Sequence, residues 1–201
     1  MIGVIDLGIG NFRSVFAKCE QLGGECLRVI DCTTLKMCNK VILPGVGSFQ
    51  SGMETLNELD LVDSLTTVVA TKKIPVLGIC LGMQLFTKKS EEGSCEGLGL
   101  INAVTKKLPE QTGFHIPHMG WNEVHYSTEN PLLYGIKSGE RFYFAHSYYV
   151  ELKDDDVFQT ITEHSIPFPS GFVIGNLYGV QFHPERSHQA GRKVLENFIR
   201  M

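Results

Sequence analysis

The sequence has 201 residues, is 43% hydrophobic and 20% charged, and carries a formal net charge of -4. This balance fits one soluble domain, residues 1–201, with enough chain for a sizeable core. It excludes the electrostatic footprint of a nucleic-acid binder, since no Lys/Arg run stands out. No stretch approaches the roughly 20 apolar residues of a membrane span. The opening MIGVIDLGIGN has no basic leader and no small-residue cleavage site, so no secretory signal is read and a cytoplasmic location is expected.

The first half alternates between two patterns. MIGVIDLG is a short apolar run stopped by Gly8 and reads as a buried strand. NFRSVFAKCEQLGG sets Phe12, Val15, Phe16, Cys19 and Leu22 at helical spacing before Gly23. ECLRVID and KVILPG read as strands, and Met53, Leu56, Leu59, Leu61 and Leu65 mark helical material. IPVLGIC is another apolar run, and LGMQLFTKK after it reads as a helix. Strands alternating with helices predict βαβ units and a mostly parallel central sheet flanked by helices. After Gly97 the texture changes. FYFAHSYYV, VFQTITEH, PSGFVIGN and LYGVQFH predict further strands, some antiparallel, in the C-terminal half. KDDD at 153–156 reads as a solvated loop, and AGRKVLENFIRM as a terminal helix with Val194, Leu195, Phe198 and Ile199 on one face.

Six cysteines without a secretory signal predict reduced thiols. Cys19, Cys26, Cys32 and Cys38 lack the paired short spacing of a zinc site. Cys80 differs. It sits in Gly78-Ile79-Cys80-Leu81-Gly82, between a predicted strand and a predicted helix, which is the nucleophile-elbow pattern with sulfur in place of a hydroxyl. A helix N-terminus favours the thiolate, the reactive species, and the N–H of Leu81 is placed to donate to an oxyanion. GVQFHPERS supplies a base, His183, and an orienting carboxylate, Glu185. Two residues apart on an extended stretch, their side chains emerge on one face. Pro44-Gly45-Val46-Gly47 is a loop able to offer a second oxyanion donor, from Val46 or Gly47.

Two other patterns are set aside. Gly8-Ile9-Gly10-Asn11-Phe12-Arg13 starts like a dinucleotide fingerprint, but Arg13 stands where the third glycine belongs. His115, His118, His125 and His146 lack the spacing of a metal motif and read as loop or core residues. No cofactor and no metal is expected.

Taken together, GIGN, LPGVGSF, GICLGMQLF, SEEG, PHMGWNEV, FYFAHSYYV and GVQFHPERS resemble the class I, triad-type glutamine amidotransferases. The resemblance is to the glutaminase subunit of imidazole glycerol phosphate synthase, of histidine biosynthesis, and runs from Ile2 to the last helix. It implies that fold and the hydrolysis of L-glutamine to glutamate and ammonia. Cys80 would form a glutamyl thioester, His183 would carry the proton and Glu185 would orient His183. Leu81 and the Val46–Gly47 loop would hold the oxyanion. Gln84, Glu92, Ser147 and Tyr148 would grip the amino-acid end of the substrate, with Glu91 able by spacing to replace Glu92. The resemblance also implies a partner, a (β/α)8-barrel cyclase in a heterodimer, which would receive the ammonia. Asn11, Met119, Trp121, Asn122 and Arg186 are the residues expected to face it, a core position being the other reading of Trp121. Competing functions are a paralogous ammonia donor for sugar amidination in surface-polysaccharide synthesis, a silent scaffolding protein, and a cysteine peptidase or thioesterase.

Overall fold

The computed structural model describes residues 1–128, 130–154 and 157–201. Its first half runs β1 (Ile2–Ile5), α1 (Phe12–Gln21), β2 (Cys26–Val29), α2 (Cys32–Lys36), β3 (Lys40–Gly45), α3 (Phe49–Glu58), α4 (Val62–Thr67), β4 (Val76–Cys80) and α5 (Leu81–Leu85). The second half runs β5 (Ala103–Lys107), β6 (His118–Val124), β7 (Glu140–His146), β8 (Tyr148–Leu152), β9 (Phe158–Glu163), β10 (Pro167–Ile174), β11 (Leu177–Val180) and α6 (His188–Arg200).

Seven strands form one sheet in the order β2-β1-β3-β4-β11-β10-β9. The pairs from β2 to β11 are parallel, and β11-β10-β9 are antiparallel. β5 pairs with β8, and β6 with β7, in two separate antiparallel ribbons. Apolar side chains cover both faces of the parallel strands: Val41 and Leu43 of β3 enter one core layer, while Ile42 enters the other. That is why these strands read as unbroken apolar runs rather than alternating ones.

One register positions the site. Gly45 of β3 lies beside Cys80 of β4, and Val180 of β11 beside Ile79. The carboxyl ends of three adjacent strands therefore open onto one place, the usual ligand crevice of a parallel α/β sheet. The segments leaving them are the Val46–Gly47 loop, the Cys80 elbow and the His183 turn.

Four local expectations change. The helix after Cys80 stops at Leu85, because the Leu85 and Phe86 carbonyls accept from Leu98 and Leu100 N–H, both at 2.9 Å. FYFAHSYYV breaks at Ser147 into β7 and β8, which join different ribbons. β5 and β6 carry no clear strand signal in the sequence. β6 inverts the usual pattern, with His118 buried and Met119 and Trp121 exposed. Nor does α2, a single short helix capped by the Asp31 carboxylate on Thr34 N–H at 2.7 Å. In KDDD, Lys153 and Asp154 are exposed, while positions 155 and 156 lie outside the described residues.

Candidate active site

Cys80 is the last residue of β4 and the residue before α5, with φ 53° and ψ -107°. A side chain in that backbone region is strained, at a cost on the order of 1–3 kcal/mol. Both flanking glycines are explained by close approach. A Cβ on Gly78 would lie 2.6 Å from Met83 N, and one on Gly82 would lie 1.7 Å from the Leu43 carbonyl oxygen. Backbone thus packs against backbone on each side of the turn. The Cys80 side chain is almost buried at 5% exposure, and its sulfur receives the Gln181 side-chain amide at 3.6 Å.

His183 follows β11 and is buried, its N–H bonded to the Tyr143 carbonyl at 2.8 Å. Its Nδ1 lies 2.9 Å from Glu185 Oε1. A carboxylate only accepts, so Nδ1 carries the proton. The expectation of an extended His183–Glu185 stretch is corrected. Residues Pro184–Arg186 form one 3-10 turn, closed by Arg186 N–H on the His183 carbonyl at 3.0 Å, and Glu185 returns to His183 across that turn. Proline in the first turn favours this, since its fixed φ suits a helix start and it has no N–H to satisfy. Ser187 braces the turn by donating to the His183 carbonyl at 2.6 Å and accepting from Tyr143 N–H at 2.9 Å.

The charges agree with this arrangement. Burial disfavours a charged His183, yet the charge on Cys80, with the hydrogen bond and charge of Glu185, outweighs it and raises the imidazole to about 10. Burial alone would raise Glu185. The His183 hydrogen bond and charge, and the Asn11 amide, hold it below the usual carboxylate range. His183 Nε2 is buried without a hydrogen-bond partner among the described residues, leaving that nitrogen for proton transfer.

A cavity of about 210 Å³ opens beside Cys80. Cys80, Leu81, Val46, Gly47, Gln84, Glu92, Ser147 and Tyr148 are among the residues that line it. Glu91 is directed elsewhere, accepting from Lys107 N–H at 2.9 Å and lining a separate surface depression. Of the two glutamates, Glu92 is the one that lines the cavity beside Cys80. Glu92 also accepts from Phe49 N–H, the first residue of α3, at 2.7 Å. Gln84 turns its amide nitrogen inward, to the Tyr148 carbonyl at 2.9 Å and Gln181 Oε1 at 3.1 Å. A Cβ on Gly10 would fall 2.0 Å from Val46 Cγ2, so the GIGN turn presses directly on the Val46–Gly47 loop.

Of the residues expected at a partner surface, Met119, Trp121 and Arg186 are exposed. Trp121 stacks on His188 at 4.8 Å and 8°, and the Arg186 guanidinium lies 5.8 Å from the Tyr143 ring. The other two are engaged within the chain. Asn11 is 6% exposed and donates to Glu185 Oε1 at 2.6 Å, because the turn after β1 folds its side chain inward. Asn122 gives its amide to His118 Nε2 at 3.2 Å and to the Glu163 carbonyl at 2.7 Å. Among the described residues no group of three or more His, Cys, Asp or Glu is arranged to hold a metal. Sequence reasoning missed the contact of Asn11 with Glu185, Gln181 against the sulfur, and the contact between His118 and His146. A glutamine inside the apolar run GVQF was the one available signal.

The class I glutamine amidotransferase family model matches residues 4–201. HisH 2 of imidazole glycerol phosphate synthase from Methanococcus maripaludis is 48% identical, over 100% of this chain and 99% of that protein. HisH 2 from Pseudomonas aeruginosa is 40% identical over the full length of both. A crystal structure of a glutamine amidotransferase shares the fold, with a TM-score of 0.75 at 18% identity over 98% of each chain. A glutamine amidotransferase from Thermotoga maritima shares it with a TM-score of 0.62 at 20% identity, over 92% of this chain and 75% of that one. The chain belongs to the class I glutamine amidotransferases and, within them, to the HisH family of imidazole glycerol phosphate synthase subunits.

Proposed function

We propose that the protein hydrolyses L-glutamine to L-glutamate and ammonia and delivers the ammonia to a (β/α)8-barrel cyclase subunit in histidine biosynthesis. The observation that carries this reading is Cys80 on the wall of a cavity it shares with Glu92 and Gln84, with the Glu185-paired His183 close enough to feel the charge on Cys80. The Cys80 thiolate adds to the side-chain amide carbon. Leu81 N–H and a peptide of the Val46–Gly47 loop receive the oxyanion. The C–N bond breaks as His183 gives its proton to the leaving nitrogen, which departs as ammonia. Water then adds to the thioester, gives its proton to His183, and the C–S bond breaks to release glutamate. Glu92 receives the substrate ammonium, and the Ser147–Tyr148 backbone flanks its carboxylate. The setting is the cytoplasm. No described helix is long and apolar enough to cross a membrane.

The test is glutamate formation from glutamine by the chain alone, then with the cyclase and its nucleotide ligand. Strong stimulation is expected. No stimulation of a folded chain would remove the histidine-pathway assignment and turn attention to a sugar-amidinating partner.

Asn11 adds a charge-assisted hydrogen bond to Glu185, so Asn11→Ala is expected to lower kcat by about tenfold or more with KM unchanged. An unchanged kcat would show that His183 alone fixes the carboxylate. Trp121 is 38% exposed beside Met119 at 64%, an aromatic anchor of the kind that dominates interfaces. Trp121→Ala is expected to weaken the cyclase complex by about 2 kcal/mol, roughly 30-fold in Kd. A titration giving wild-type affinity would move the interface away from β6.

A further inference from the structure

At the cavity wall, two buried histidines form a directional hydrogen-bond chain: His146 lines the cavity itself, and His118, which does not, bonds to it. The Tyr148 carbonyl can only accept, so His146 Nδ1, 2.8 Å away, is protonated and donates. In the neutral ring His146 Nε2 then accepts, and its partner at 3.0 Å, His118 Nδ1, donates. His118 Nε2 in turn accepts from Asn122 Nδ2. The Asn122 amide has one consistent orientation, since its Oδ1 accepts from Glu123 N–H at 2.8 Å and its Nδ2 also reaches the Glu163 carbonyl. Both ends of the chain therefore demand the same tautomers. The His118 ring stacks on Phe144 at 4.7 Å and 24° and on His164 at 4.2 Å and 25°. Burial, with the repulsion between neighbouring imidazoles, lowers His146 to about 3 and His118 to about 4, so both rings are neutral near pH 7.

The chain ends where the substrate is expected. The Tyr148 carbonyl also receives Gln84 Nε2, Gln84 holds Gln181 Oε1, and Gln181 donates to the Cys80 sulfur. We propose that His118 and His146 are positioning residues: their paired Nδ1–H tautomers fix the Tyr148 carbonyl, and with it the wall of the glutamine pocket and the Gln84–Gln181 pair at Cys80. The proposal rests on the glutaminase reading for its effect on catalysis, but the tautomers themselves do not.

Two substitutions separate positioning from packing. In Asn the amide nitrogen can occupy the place of imidazole Nδ1; in Gln it reaches the place of Nε2. His146→Asn keeps a donor for Tyr148, so KM for glutamine is expected to stay within about threefold of wild type. His146→Gln loses that donor, and KM is expected to rise about tenfold with a smaller change in kcat, the scale of one lost hydrogen bond. Activity is measured with the cyclase present. Equal KM in both variants, or parallel losses that follow Tm alone, would overturn the proposal. Imidazole nitrogen NMR of the wild-type protein tests the tautomers without turnover. Two neutral rings protonated at Nδ1 at pH 6 are expected, and an Nε2–H or charged ring at either position would overturn the proposal. A wild-type complex that hydrolyses no glutamine would instead sink the glutaminase reading, and the NMR result would still decide the tautomers.

Discussion

Cys80→Ala is expected to lower glutamine hydrolysis by at least about ten-thousand-fold, because the triad residues act as a unit and the nucleophile has no substitute. Cys80 is the one thiol among the residues lining the cavity. Cyclase affinity should be unchanged, since Cys80 is buried and Met119 and Trp121 are not. Hydrolysis retained in this variant would mean that another residue attacks. The same substitution has an electrostatic readout. Burial pulls the His183 pKa down, and the charge on Cys80 is the first of the contributions raising it to about 10. Without the sulfur, His183 must titrate lower than in the wild type, which NMR can follow. In the wild type, the imidazolium that protonates the departing nitrogen persists through neutral pH, and turnover should fall as pH rises towards 10. Cys80→Gly adds a comparison. It loses the nucleophile equally, but glycine accepts φ 53° and ψ -107° without a Cβ. Cys80→Gly should therefore be more stable than Cys80→Ala by about 1 kcal/mol, after the greater chain entropy of glycine is set against the relieved strain. The opposite order in denaturant unfolding would show that the elbow stores no strain.

What could be read from the sequence and what could not divide along physical lines. The β1, β3 and β4 runs were legible because strands buried on both faces must be apolar throughout. The elbow was legible because close backbone approach admits glycine at 78 and 82 and nothing larger, which leaves a mark in the sequence. β6 was not, since its apolar residues Met119 and Trp121 point outward and its buried residue, His118, is polar. A polar residue can occupy such a place only with partners; Asn122 comes from the same strand, but His146 is set by pairing with β7 rather than by neighbouring sequence. Asn11 escaped for the same reason. Its carboxylate partner is 174 positions away, brought in by β11 lying next to β4. Residue types singled out Cys80, His183 and Glu185; long-range topology decided which amides and imidazoles surround them.

Gly82→Ala is expected to destabilise the protein by about 3 kcal/mol or more. The new methyl group would fall 1.7 Å from the Leu43 carbonyl oxygen and 3.1 Å from Leu43 Cγ. The first of these is backbone of β3, which cannot swing aside as a side chain can. Leu43 is paired with Gly78 in the sheet and Gly45 with Cys80, so moving β3 away from α5 would break the register that sets the loop beside the nucleophile. Overpacking a tight core typically costs about 1–3 kcal/mol, and a backbone clash belongs at or beyond the upper end. Against a total stability of roughly 5–15 kcal/mol, that is a large share. Gly52→Ala is the matched control. Its Cβ would meet the Leu85 Cδ1 atom at 3.1 Å, the movable end of a side chain. Gly52 lies inside α3, where alanine is favoured over glycine by about 1 kcal/mol. The control should therefore stay within about 1 kcal/mol of wild type by denaturant unfolding. If Gly82→Ala were as stable as Gly52→Ala and still hydrolysed glutamine, β3 would have to be free to move without disturbing Cys80. The glycine frame around the cysteine would then serve neither packing nor chemistry.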